Sequence, residues 1–216
     1  MKQWNFFLTL LLLGSAILLP AAETTTELPK DVPYSDENTG VVFPPFLGAF
    51  RKTEIRINGN PVIGTRIQYA GNRIGCSADI YIYAVSEKPG VISEAEFQDH
   101  YLQVRRTILN LKLLSKKIEE TESLRQWQIR ASENIPARRE SFQFRTDGEE
   151  TYHSELVILL CGDRIVKLRI TVPAAEKDAV QEADGFIQEF CKLFFKNKPA
   201  AFVPCSTEPA GVKPKS

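Results

Sequence analysis

The stretch TYHSELVILLCGDRIVKLRITVP, residues 151–173, decides how this chain reads. Two runs rich in β-branched and large apolar residues flank Gly162-Asp163, and glycine at the first central position is what a two-residue type II′ hairpin turn requires. With that turn, residues pair when their numbers sum to 325, so Leu159 faces Val166 and Val157 faces Leu168. Side chains alternate between the two faces of a strand. One face therefore carries Val157, Leu159, Val166, Leu168, Ile170 and Val172, a wall for a core. The other carries Leu156, Ile158, Leu160 and Ile165, but also Lys167, Arg169 and Thr171. That mixed face is the first candidate for a binding surface.

Upstream, Phe142 and Phe144 alternate with Ser141, Gln143 and Arg145 and run into Asp147-Gly148, a type I′ signal. Pairs across it sum to 295, which sets Arg145 opposite Glu150 and His153 opposite Phe142. The same register puts Phe142 and Phe144 on the face of Val157 and Leu159. Trp127 and Ile129, alternating with Gln126, Gln128 and Arg130, give a further strand, and polar Glu119 to Ser123 reads as its connection to what precedes.

What precedes is a helix. Ser93-Glu94-Ala95-Glu96 is a capping box, and Phe97, Tyr101, Val104, Ile108 and Leu111 follow at spacings of 4, 3, 4 and 3. Lys116-Lys117 would suit its last turn. A second helix, from about Ala174 to Phe195, is expected from Val180, Ala183, Ile187, Phe190 and Phe194. The first half of the chain is a β-meander. Thr53, Ile55 and Ile57 alternate with Lys52, Glu54 and Arg56; Asn58-Gly59 signals a hairpin; Thr65 to Ala70 returns; and Cys76 to Val85 is a third strand.

The termini have a different character. Lys2, the apolar run from Phe6 to Leu13, and Pro20-Ala21-Ala22 have the form of a secretory signal, cleaved after Ala21 or Ala22 or else retained as an anchor. Trp4 to Leu19 is shorter than the roughly 20 apolar residues that span a bilayer. The expected organisation is a signal peptide over 1–22, a linker over 23–38, one domain over 39–197 and a Pro-rich flexible tail over 198–216. A periplasmic or secreted location follows, with no stable membrane insertion once the signal is removed.

Lys+Arg and Asp+Glu are both 27, a balance that argues against nucleic acid as a partner. The four cysteines, Cys76, Cys161, Cys191 and Cys205, are even in number and allow three pairings; Cys191 with Cys205 is a candidate disulfide pinning the tail to the last helix. Without C-x-x-C, and with two histidines, a metal centre is not expected, nor is a cofactor. His100 reads as a solvated helix histidine. His153 and Glu155, two apart on a strand, offer either an acid–base pair at a pocket rim or a histidine closing the core edge. Tyr81 and Tyr83 share a strand face and join the candidate binding surface with Leu156, Ile158, Lys167 and Arg169.

This element order makes an α+β domain, an antiparallel β-sheet of meanders flanked by two long helices. With the Phe43-Pro44-Pro45 segment and the closing helix, the chain resembles the PsbP/Mog1-like group, whose bacterial members include small exported domains of the DcrB type. The resemblance covers about residues 34–195 and carries over no functional residue. It implies an α/β/α sandwich and an accessory or interaction role, binding a protein or envelope partner, rather than an enzyme. Two other classes stay open: a small extracytoplasmic hydrolase using His153 and Glu155, and a carrier holding a small apolar ligand between sheet and helix.

Overall fold

The computed structural model describes residues 31–87, 90–130, 135–195 and 201–205. The expected signal peptide, the start of the expected linker and the end of the expected tail lie outside the described residues. In chain order the elements are β1 (Tyr34–Ser35), β2 (Val42–Phe43), β3 (Phe46–Leu47), β4 (Phe50–Ile57), β5 (Thr65–Gly71), β6 (Ser77–Tyr83), α1 (Glu94–Leu109) and α2 (Leu111–Leu114). They continue with β7 (Ile118–Arg130), β8 (Ala137–Thr146), β9 (Thr151–Cys161), β10 (Arg164–Pro173), α3 (Lys177–Phe194) and β11 (Ala201–Pro204). Among the described residues nine strands form one antiparallel sheet in the order β11-β7-β8-β9-β10-β6-β5-β4-β3, and β1 pairs with β2 apart from it. Among the described residues no helix is long and apolar enough to cross a membrane.

The β9–β10 hairpin sits at the middle of the sheet in the register expected, Cys161 opposite Arg164 through Pro173 opposite Tyr152. Gly162 has φ +62°, and Asp163 after it does not have a positive φ, which is the II′ combination. Val157, Leu159, Val166, Leu168, Ile170 and Val172 are buried in a cluster with Phe186, Ile187, Phe190 and Phe194 of α3. Leu156, Ile158 and Ile165 are buried in a second cluster with Phe97, Tyr101 and Ile108 of α1. The capping box of α1 forms as read: Ser93 Oγ accepts from the Glu96 amide and the Ser93 amide donates to Glu96 Oε2.

The hairpin before it differs by one residue. The Thr146 amide donates to the Glu150 carbonyl, and Glu149, not Gly148, takes the left-handed conformation at φ +60°. The loop is therefore three residues long, and pairs sum to 296: Arg145 faces Thr151, Phe144 faces Tyr152, and His153 faces Gln143 rather than Phe142. A slip of one residue exchanges the faces of a strand. Phe142 and Phe144 accordingly pack with Leu156 and Ile158 under α1, not with Val157 and Leu159.

Smaller corrections have similar causes. A bulge between Lys52 and Glu54 inverts the alternation in β4, so Lys52 is buried beside Ile55. Its Nζ donates to the carbonyls of Val32 and Phe43, at 2.7 and 3.3 Å. Asn58-Gly59 does not make a two-residue turn. The loop runs to Gly64, held by Asn58 Oδ1 accepting from the Asn60 amide, and Gly64 has φ +65° with the site of a Cβ only 1.9 Å from the Ile82 carbonyl oxygen. The first helix stops at Leu109 before α2, so Lys116-Lys117 is not in its last turn, and Glu119 to Ser123 belong to β7 rather than to a connection. Part of the stretch expected as loose tail is β11, paired with β7.

Candidate functional site

His153 and Glu155 do come together, but as a structural knot. Glu155 is buried on the α3 side, and its carboxylate accepts from Arg139 Nε at 2.8 Å, from His153 Nε2 at 2.7 Å and from Ser141 Oγ. Burial alone would raise its pKa, but the hydrogen bonds from His153, Arg139 and Ser141 and the Arg139 charge outweigh it and hold the carboxyl below its usual range. Arg139 in turn donates to Asp184 of α3 and lies 4.7 Å from the ring centroids of both Trp127 and Phe202. Nucleophilic catalysis needs a hydroxyl bonded to the base, with the acid behind it. Here the carboxylate stands in the middle, and the hydroxyl and the imidazole are each spent on it. The knot ties β8, β9, β11 and α3 together.

Glu140, the neighbour of Ser141, does the same work on the opposite face. Fully buried, it accepts from Tyr101 Oη at 2.6 Å, from Arg105 Nε at 2.9 Å and from Ser123 Oγ. Burial and this bond raise the Tyr101 phenol well above its ordinary pKa. Two carboxylates on the paired strands β8 and β9 thus anchor one helix on each side, Glu140 directly and Glu155 through Arg139.

The candidate binding residues separate into two groups. Leu156 and Ile158 are 1% and 0% exposed under α1, so neither is a surface residue. Tyr81, Tyr83, Lys167 and Arg169 stay together beside them. In register Lys167 stands between Ile158 and Tyr81, and Arg169 between Leu156 and Asp79. Lys167 Nζ lies 4.3 Å from the Tyr81 ring centroid and 5.6 Å from that of Tyr83. Arg169 Nε donates to Ser154 Oγ at 3.1 Å, while its Nη1 is buried with no hydrogen-bond partner among the described residues. Asp79, the nearest carboxylate in register, is bound by Arg66 at 2.7 Å and reaches Lys167 and Arg169 through its charge but not through an ion pair. Burial first, and then the neighbouring Arg169, lowers the Lys167 pKa to about 8; burial lowers that of Arg169 to about 10.

His100 joins this cluster from α1. Its Nε2 lies 2.8 Å from Tyr83 Oη, and burial, then the charge of Lys167, lowers its pKa to about 4. It is not the solvated helix residue expected. Position 100 precedes Tyr101 of the apolar stripe, which puts it on the flank of the buried face, and that flank meets the sheet. Asp79 and Arg66 were legible in part, since period two places Asp79 on the face of Tyr81. The cysteines play no part in this cluster. All four are free thiols, so Cys191 and Cys205 are not bridged. Cys191, on α3, is buried in the cluster that α3 forms with the sheet, whereas the Cys205 amide donates to the Gln126 carbonyl of β7.

No protein-family model matches the chain, and no curated protein matches it in sequence. Solved structures do. A protein of unknown function from Pseudomonas aeruginosa is 15% identical, covers 73% of this chain and 92% of its own, and has a TM-score of 0.41. The cyanobacterial PsbP of Synechocystis is 12% identical over 83% of this chain and 96% of its own, with a TM-score of 0.49. The Ran-binding protein Mog1p of Saccharomyces cerevisiae is 12% identical over 82% and 91%, with a TM-score of 0.35. The chain is similar in fold to PsbP and Mog1. These are the names of the group that its element order resembles, and the likeness concerns the fold alone.

Proposed function

We propose that the protein is an exported, non-catalytic accessory domain, an α/β/α sandwich that binds an acidic protein partner on the α1 side of its sheet. The N-terminal signal pattern supports export. The supporting observation for the binding face is an uneven cover. The cluster beneath α1 draws on β7 to β10 and on Tyr83 of β6, and no residue of β4 or β5 belongs to it. On the remaining strands that face carries Glu54 and Arg56 of β4, Arg66 and Gln68 of β5 and Asp79 of β6, next to Lys167 and Arg169. Arg56 is answered by Glu54 at 2.8 Å and Arg66 by Asp79 at 2.7 Å. Lys167 and Arg169 are left over, so the face has a positive excess that suits an acidic surface.

A photo-crosslinking residue at Gln68, at the centre of this face, tests the reading in cells that express the full chain. It should yield a discrete protein adduct in the envelope fraction that Arg56→Glu weakens several-fold. The same residue at exposed Gln181, on α3, should yield none. Equal adducts at both positions, or none at Gln68, would overturn it. The mass of the recovered protein reads out export directly, since removal of residues 1–21 or 1–22 is expected.

A further inference from the structure

We propose that Lys167 and Arg169 form a seat for a single oxyanion, a carboxylate or a phosphate group. On the reading above, it is a carboxylate supplied by the partner. The argument rests on which groups are present and which are missing. Two cations two residues apart on one strand point to the same face, in the middle of the sheet. Neither makes an ion pair among the described residues, because the neighbouring carboxylate of Asp79 is held by Arg66. Desolvated cations are costly unless paired, and a buried guanidinium nitrogen without an acceptor is more so.

The surroundings fit an oxyanion better than an apolar ligand. Arg169 Nε is fixed by Ser154 Oγ, which in turn lies 3.1 Å from Thr171 Oγ1, so the guanidinium is held in one orientation with Nη1 left without an acceptor among the described residues. A planar fork so fixed suits a two-oxygen acceptor. Tyr81 and Tyr83 support the Lys167 ammonium through their ring faces without neutralising it. His100, neutral because it is buried beside Lys167, adds no competing charge. Elsewhere the fold answers its buried cations: Lys52 meets two carbonyls, and Arg139 meets Glu155 and Asp184. Here the matching charge is what an oxyanion would bring.

The test uses the purified protein and two probes at constant ionic strength, a blocked triglutamate peptide and inorganic phosphate. Binding is followed by the NMR signal of the Arg169 Nε–H group and, for every variant, by calorimetric titration. Both probes should shift the signal with saturation. Lys167→Met and Arg169→Met should each weaken binding at least tenfold, whereas Arg51→Met, at an exposed cation already paired with Asp31, should leave it unchanged. Since Arg169→Met also removes the bond to Ser154, Lys167→Met is the variant that decides if the other folds poorly. Saturation by phosphate with no response to the peptide would support the seat and count against a protein carboxylate as its occupant, so the docking reading would fail alone. No shift with either probe, or equal weakening by all three substitutions, would overturn the seat.

Discussion

Arg139 and the Lys167–Arg169 pair are cations set among aromatic rings on opposite faces of one sheet, and the fold treats them differently. On the α3 face, Arg139 lies between Trp127 and Phe202 and is met by two carboxylates, those of Glu155 and Asp184. On the α1 face, Lys167 stands over Tyr81 and Tyr83 and Arg169 binds one hydroxyl, and among the described residues no carboxylate makes an ion pair with either; Asp79 acts on them only through its charge. A cation that is fully answered holds elements together. A cation left unanswered is retained at a cost to stability, and that cost needs a reason outside the packing. The two faces differ accordingly. The α3 face is a continuous apolar cluster reaching across the sheet from β3 to β7, whereas α1 covers only part of its side.

The strongest way to break this contrast is to show that the α1 side is open at its centre. Ile158 is 0% exposed beneath α1, so Ile158→Asp should bury a carboxylate among Phe97, Phe142 and Ile165 and leave no cooperative unfolding transition by circular dichroism. A folded Ile158→Asp protein with a melting temperature near that of the wild type would return Leu156 and Ile158 to the surface. It would also remove the distinction between covered and uncovered halves.

That residues 156 and 158 needed cover was legible in the sequence; which helix supplied it was not. The β9–β10 register followed from Gly162 because a glycine is needed only where φ is positive, and here it is +62°. The same reasoning failed at Asp147-Gly148, where the positive φ belongs to Glu149 and the faces of Phe142 and Phe144 exchange. Turn residues carry the register only when the glycine itself occupies the left-handed position, and the composition of the loop does not say whether it does. The candidate site was half legible for a related reason. Alternation placed Tyr81, Tyr83, Lys167 and Arg169 on their faces, but nothing local records that Asp79 turns to Arg66 or that His100 meets Tyr83. Those are contacts across 13 and 17 residues.

A second comparison sharpens the contrast by substitution. Arg139→Met removes the strongest donors of the buried Glu155 and should cost about 3–5 kcal/mol in urea unfolding, the usual penalty for breaking a buried pair on one side. Arg139→Met with Glu155→Leu should cost less than Arg139→Met alone, because no buried charge is then left behind. Lys167→Met has no partner to orphan and should be neutral or stabilising in the same assay. If Lys167→Met destabilised the protein as much as Arg139→Met, the lysine would be answered after all, and the two faces would be equivalent.

The smallest effect concerns His100, which reports on how α1 packs over Tyr83 and Lys167. Its folded-state pKa is about 4 against an ordinary 6.5, with burial as the main cause and the charge of Lys167 as the second. Between those values the unfolded chain takes up a proton that the folded chain refuses, so stability should fall as pH drops from 6.5 towards 4 and be unaffected by this group above 6.5. Comparing wild type with His100→Gln isolates that loss from the acid sensitivity of Glu155, whose carboxyl sits below its usual range. The imidazole signal should titrate with a midpoint near 4, and in Lys167→Met it should move up, since one of the two causes has been removed while burial remains. A midpoint near 6.5 would mean that α1 does not close over this end of the sheet, and that Tyr83 and Lys167 face water directly.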